Sequence, residues 1–166
     1  DSARFKFLLG EHCNISAQNV HAYIVGEHGD SEVAAWSITN VAGMPFNEYC
    51  FRCEKACRKE ERQEIFESTK RSAYEIIEGK GATYYAVGLA VRRIVEAILR
   101  DENAILPVSS LMEGYYGLED VCLSLPTIVN NGGISKVLEL PLADEEVEGI
   151  VRSAETLKKA MKEIGL

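Results

Sequence analysis

The sequence predicts an α+β fold, an antiparallel sheet packed with long helices, and three observations carry that reading. Strand-like segments are gathered rather than scattered: Ala104 to Met112, Val121 to Asn130 and Ile134 to Leu140 follow one another with short links. Segments of helical period stand before and after this block instead of alternating with single strands, which argues against βαβ units. The chain has 166 residues, 46% of them hydrophobic, enough for one domain, 1–166, with its own core.

Composition narrows the partners. A formal net charge of −8 opposes nucleic acid and anionic membrane surfaces, which would repel the molecule as a whole. No apolar run is long enough to cross a bilayer, and the first residues, Asp1 to Lys6, lack the apolar core of a signal peptide. A cytoplasmic protein is therefore expected. Its five cysteines, Cys13, Cys50, Cys53, Cys57 and Cys122, are an odd number and a poor disulfide framework, so reduced thiols are expected too. Asp1 opens the chain inside a helical pattern, which suggests a piece of something longer.

The elements follow in order. Phe5, Leu8 and Leu9 have helical spacing, so Ser2 to His12 reads as a short helix stopped near Gly10 and Asn14. Asp1 and Arg4, three apart, share one face of it. Asn19 to Val25 alternates as a strand does, Val33 to Ile38 is a second short strand, and Asn40 to Asn47 reads as a loop. From Glu48 to Glu78 a helix carries one apolar stripe through Phe66, Thr69, Ala73, Ile76 and Ile77.

Gly79-Lys80-Gly81 breaks that helix. The next opens at Ala82-Thr83-Tyr84-Tyr85, with Thr83 either capping its first turn or lining a pocket, and runs to Leu99. Its apolar residues nearly encircle it, which predicts a central place in the core, and Gly88 would permit a close backbone approach. The three strands then form a meander, with Pro107 and Pro126 marking edges or bulges. Asp144 to Ile164 closes the chain as a helix, acidic at its start and basic at its end, as the helix dipole favours.

The chemistry concentrates in Gly26-Glu27-His28-Gly29-Asp30-Ser31. Glycines on both sides of His28 let the backbone turn at the strand end and present an imidazole at the sheet rim, where it can donate or accept a proton near neutral pH. Cys50, Cys53 and Cys57 share a helical stripe that could face a metal, yet no further Cys or His pair completes a four-ligand set, so no metal site is assigned. A non-catalytic assembly or metal-binding domain is the reading from another class. There is no Gly-x-Gly-x-x-Gly, P-loop or nucleophile elbow.

Asp1-Ser2-Ala3-Arg4, Asn19-Val20-His21-Ala22-Tyr23, Gly26-Glu27-His28-Gly29-Asp30-Ser31 with Trp36-Ser37, and Gly81-Ala82-Thr83-Tyr84-Tyr85 together resemble the L-lactate dehydrogenase family, within the wider lactate/malate dehydrogenase group. The resemblance runs the length of the chain and concerns the C-terminal, substrate-binding half; the N-terminal Rossmann half, with most of the NAD site, is absent from this sequence. It implies His28 as proton donor to the keto oxygen of pyruvate and acceptor from L-lactate, Asp1 as the partner of its other ring nitrogen, Arg4 as the clamp on the substrate carboxylate, and Thr83 beside the substrate's C3. It also implies a glycolytic or fermentative homotetramer and, in bacterial members, activation by fructose 1,6-bisphosphate at the positions of Lys6 and His21. The family usually has arginine where this chain has Lys6, which keeps the charge and loses the planar fork. A lactate-like malate dehydrogenase is the alternative, and Gly-Ala-Thr at Thr83 favours lactate.

Overall fold

The computed structural model describes residues 1–52 and 58–165. Helix α1 (Ser2–Cys13) ends where Asn14 turns left-handed at φ 54°, so the asparagine is the stop and Gly10 lies inside the helix. Phe5 and Leu9, one turn apart, are fully buried.

The stretch expected as one strand is two. Val20–His21 (β1) pairs with Asn40–Val41 (β4), which pairs with Met44–Pro45 (β5), whereas Ile24–Val25 (β2) pairs with Val33–Ala34 (β3). The supposed loop from Asn40 is thus a hairpin, turning through Ala42 and Gly43, both at positive φ. The second strand stops after Ala34, and Trp36–Ile38 forms a 3-10 turn instead. Side-chain alternation survives the break and has a use: Ile24 and Ala34 enter one apolar cluster, Val25 and Ala35 the other.

The long helix expected from Glu48 to Glu78 is also not continuous. Helix α2 (Phe46–Arg52) begins on a buried phenylalanine, and α3 (Lys59–Lys80) starts afresh after Arg58, whose backbone is extended and whose N–H is capped by the Glu61 carboxylate at 2.9 Å. Of the expected stripe only Thr69 is buried; Ile65, outside that set, is buried beside it, and Ile77 is exposed. Cys50 on α2 is buried and disulfide-bonded, which corrects the expectation of reduced thiols at that position. Cys53 and Cys57 lie outside the described residues.

Helix α4 (Tyr85–Leu99) is the largest departure. Only Ala97 is buried, while Leu89, Val91, Val95 and Leu99 are exposed, and a Cβ at Gly88 would meet nothing within 4 Å. An apolar circumference predicts burial, but burial needs a partner, and nothing among the described residues covers this face.

The meander forms, with its third strand ending at Val137 rather than Leu140: β6 (Ala104–Glu113), β7 (Glu119–Asn130) and β8 (Gly133–Val137) pair antiparallel in that order. Pro107 lies on edge strand β6 opposite Pro126, which sits inside the central β7; the register shifts fall elsewhere, near Met112 and Ile128. Helix α5 (Asp144–Glu163) buries Gly149, Ile150, Ser153 and Ala154.

Two apolar clusters result. Phe5, Leu9, Val20, Ile24, Phe46 and Ile65 bring together α1, the small sheets, α2 and α3; Val25, Met112, Leu123, Leu125, Ile150 and Ala154 bring together the meander and α5. Strand β2 belongs to both, and Gly26 at its end bonds Ser124 of β7 in both directions at 2.8 and 2.9 Å. The histidine turn therefore hangs from the seam between the clusters. Phe5, packed edge-on against Trp36 with ring centres 4.9 Å apart, is with Phe46 one of the two largest fully buried side chains of the first cluster. Phe5→Ala is expected to remove about 3–5 kcal/mol from the unfolding free energy of the complete protein in denaturant titration. A loss below about 1 kcal/mol would mean the cluster does not close around this ring.

Candidate active site

Local structure explains how Asp1 and His28 meet. Asp1 occupies the N-cap of α1 but makes no side-chain cap bond; its backbone carbonyl accepts the Phe5 N–H at 2.8 Å. The carboxylate is free for other work. Ser2 fixes the helix start to β2, its hydroxyl accepting the Ile24 N–H at 2.9 Å and facing the Ile24 carbonyl. That tie sets Asp1 beside the turn that leaves β2.

The turn brings His28 back to it. Nδ1 of His28 donates to one carboxylate oxygen of Asp1, while the guanidinium of Arg4 stands 3.8 Å from the other oxygen. The His28 side chain is 81% exposed and that of Asp1 only 17%, so the carboxylate is sheltered and the second ring nitrogen is open to an incoming molecule. A bond that consumes Nδ1–H selects the tautomer in which Nε2 accepts a proton. Arg4 is partly buried and also donates to the Thr69 carbonyl of α3 at 3.4 Å. A planar cation so held beside an exposed imidazole can bind a small carboxylate and offer it a proton donor.

Four residues of this constellation escape sequence reading. Glu32 is buried at 6% exposure, and one of its carboxylate oxygens has no hydrogen-bond partner. Burial pushes its carboxyl up to about 6, against the pull of nearby cations that include Lys70 and Arg4. Asp1, His28 and Glu32 each bring one donor atom within 4.8 Å of the others, the one such convergence among the described residues. Arg4 already occupies the far side of Asp1, so the charge balance suits an acid–base group better than a cation cage. Lys70 and Tyr74, one turn apart on α3, hold Asp30 through its carbonyl at 2.8 Å and its carboxylate at 2.9 Å. Ser153 on α5 accepts the Glu27 N–H at 2.6 Å. Only a carboxylate four residues after the histidine could have signalled Glu32; the others come from distant helices.

The remaining expected residues stand apart. Thr83 precedes α4 rather than occupying its first turn, it is half-buried, and Tyr84 at the N-cap makes no side-chain cap bond, so the capping expectation fails. No hydrogen bond joins Thr83 to Asp1, Arg4 or His28 among the described residues. Lys6 lies on α1 with its ammonium 5.3 Å from the Tyr23 ring centre, and burial lowers its proton affinity. His21 is exposed on β1, which packs against α1. A metal on Cys50 is not compatible with its disulfide, since a bonded sulfur has no thiolate to offer.

Residues 1–165 match the lactate/malate dehydrogenase alpha/beta C-terminal domain. The chain belongs to that family. It is 60% identical over 166 residues to an L-lactate dehydrogenase of Thermoanaerobacter sp. (strain X514), covering all of this chain and 53% of the relative. It is 58% identical over 166 residues to that of Acetivibrio thermocellus, covering 52% of it. Among solved structures, a lactate dehydrogenase from a Medee basin deep-sea metagenome library superposes with a TM-score of 0.95 at 37% identity, over 99% of this chain and 52% of that one. The minor L-lactate dehydrogenase of Enterococcus mundtii gives 0.93 at 38% identity, with the same coverage. This member of the family thus spans about half the length of the curated relatives it matches.

Glu32 gives the domain a pH signature. Because its folded carboxyl titrates near 6, above the ordinary 4.5, the unfolded chain ionises first as pH rises and stability falls between those values. The loss should reach about 2 kcal/mol above pH 6 and vanish below the unfolded value. Glu32→Gln is expected to flatten that limb in denaturant unfolding of the complete protein from pH 4 to 7; an unchanged slope would show that Glu32 titrates normally.

Proposed function

We propose that this chain is the substrate-binding and proton-transfer half of an NAD-dependent L-lactate dehydrogenase, catalysing the reversible reduction of pyruvate to L-lactate. The observation that carries the reading is the hydrogen bond from His28 to the sheltered Asp1 carboxylate with the Arg4 guanidinium beside it. A neighbouring pair on one helix face and a histidine 27 residues on from Asp1, of types that suit a 2-keto acid, come together.

In this reading Arg4 binds the pyruvate carboxylate through its planar fork and orients the molecule with its keto oxygen toward Nε2 of His28. His28, doubly protonated, donates that proton as the carbonyl becomes an alkoxide, and takes it back from the hydroxyl of L-lactate in reverse. Asp1 stabilises the charged ring and fixes its orientation. Thr83 would border the methyl side of the substrate. The nicotinamide cofactor, when bound, supplies hydride to the keto carbon; this chain carries no glycine-rich phosphate loop for it, so the cofactor would be held by a Rossmann half outside this sequence.

The exposed apolar surface of α4 supports a further partner surface, either that Rossmann half or another subunit of a homotetramer. A cytoplasmic, glycolytic or fermentative setting follows from the activity, and activation by fructose 1,6-bisphosphate at Lys6 and His21 is the allosteric extension of the same reading.

Three measurements on the complete enzyme test it. Steady-state rates should favour pyruvate over oxaloacetate, and a large preference for oxaloacetate would make the protein a malate dehydrogenase of the same family. His28→Asn should lower kcat by about 100-fold or more while NADH affinity stays nearly unchanged. Arg4→Lys should mainly raise the KM for pyruvate, because an ammonium keeps the charge without the two parallel bonds. Equal losses of NADH affinity and turnover in both variants would count against these roles.

A further inference from the structure

Ser153 lies on α5, 125 residues after His28 in a chain of 166, yet it is fully buried against the histidine turn. Its hydroxyl accepts the N–H of Glu27, the residue next to His28, at 2.6 Å. It also lies 3.1 Å from the Ser31 hydroxyl. The Ser31 proton goes to the Glu27 carboxylate, so Ser153 is left to donate its own proton to Ser31. Each of these bonds ends on a residue of the six that carry His28.

The approach is close by construction. A Cβ at Gly26 would lie 2.7 Å from the Ser153 oxygen, and one at Gly149, a turn earlier on α5, would lie 2.9 Å from a Val33 methyl. Glycine at one position on each surface lets α5 seat directly on the β2–β3 hairpin. Glu146, a further turn back, accepts the Ser37 N–H at 2.9 Å and receives the Ser37 hydroxyl. One face of α5 therefore reads three successive points along 26–37, with Ser153 at the end nearest His28. α3 bonds the turn at Asp30.

We infer that Ser153 is a positioning residue for His28: its hydroxyl fixes the Glu27 peptide, and through it the direction in which the imidazole leaves the backbone toward Asp1. An alanine there would keep the helix and its packing while leaving the Glu27 N–H unpaired and the Ser31 hydroxyl with one partner fewer. The ring would then sample orientations in which Nδ1 leaves Asp1 and Nε2 leaves the substrate. This assignment rests on the proposed lactate dehydrogenase reading for its kinetic consequence and on geometry alone for the clamp.

The test uses the complete enzyme with Ser153→Ala and, separately, Ser31→Ala. Amide hydrogen exchange by mass spectrometry should show faster exchange over 26–31 in Ser153→Ala, with α5 as protected as in the unaltered enzyme. Pyruvate turnover should fall about ten- to hundredfold in kcat, with the KM for pyruvate and NADH affinity changed little. Ser31→Ala, which removes a neighbour of the clamp and leaves the Glu27 N–H bond in place, should fall by less. Unaltered exchange over 26–31, or faster exchange with unchanged kcat, would overturn the assignment. So would a kcat loss matched by equal loss of NADH affinity and a lower unfolding temperature, since that is general damage. If the unaltered enzyme turns over no 2-keto acid, the functional reading falls by itself, and the exchange measurement still decides whether Ser153 holds the turn.

Discussion

The hydrogen bond between His28 and Asp1 is the constraint on which the rest of the site depends. It joins a helix N-terminus to a turn 27 residues later, and neither end could be placed by its own element. Asp1 is available because the helix start is held by Ser2 on β2 instead of by a carboxylate cap. His28 is available because glycines on both sides of it leave the ring open to solvent while the backbone beside it is held. The pair sets one imidazole nitrogen inward and the other outward, which is the division of labour that proton transfer to a small molecule requires.

Two helices far apart in sequence supply the rigidity that the turn lacks. α3 reaches the tip of 26–31 through Lys70 and Tyr74, and α5 reaches its base through Ser153. Both helices are anchored in separate apolar clusters, α3 with α1 and α5 with the meander, and β2 is common to both. A site hung on a seam of this kind is fixed from both sides. Glu32, buried at the same place and left with an unpaired oxygen, is the element that works against stability, as acid–base groups at functional sites often do.

The α4 helix shows the other side of the same logic. Its apolar residues nearly encircle it, yet it leaves most of them in solvent within this chain. An exposed apolar surface of this extent is the kind that contact surfaces are made of, and periodicity alone does not say what lies against it.

Much of this was determined by the sequence alone. The meander followed from turn chemistry between runs of β-forming residues, α5 from its charge gradient and period, and His28 from glycines that only a tight turn would use. Asp1, Arg4 and His28 were legible as a set only through resemblance to a family, since spacing along the chain says nothing about which residues meet. Tertiary structure decided what depends on partners. It split the first strand because β2 serves two clusters, started α3 afresh after an extended Arg58, left α4 exposed where periodicity called for burial, and brought Glu32 and Ser153 to the histidine turn. Local rules act through neighbours in sequence, whereas burial and hydrogen-bond partners are set by whichever surface the folded chain lays alongside.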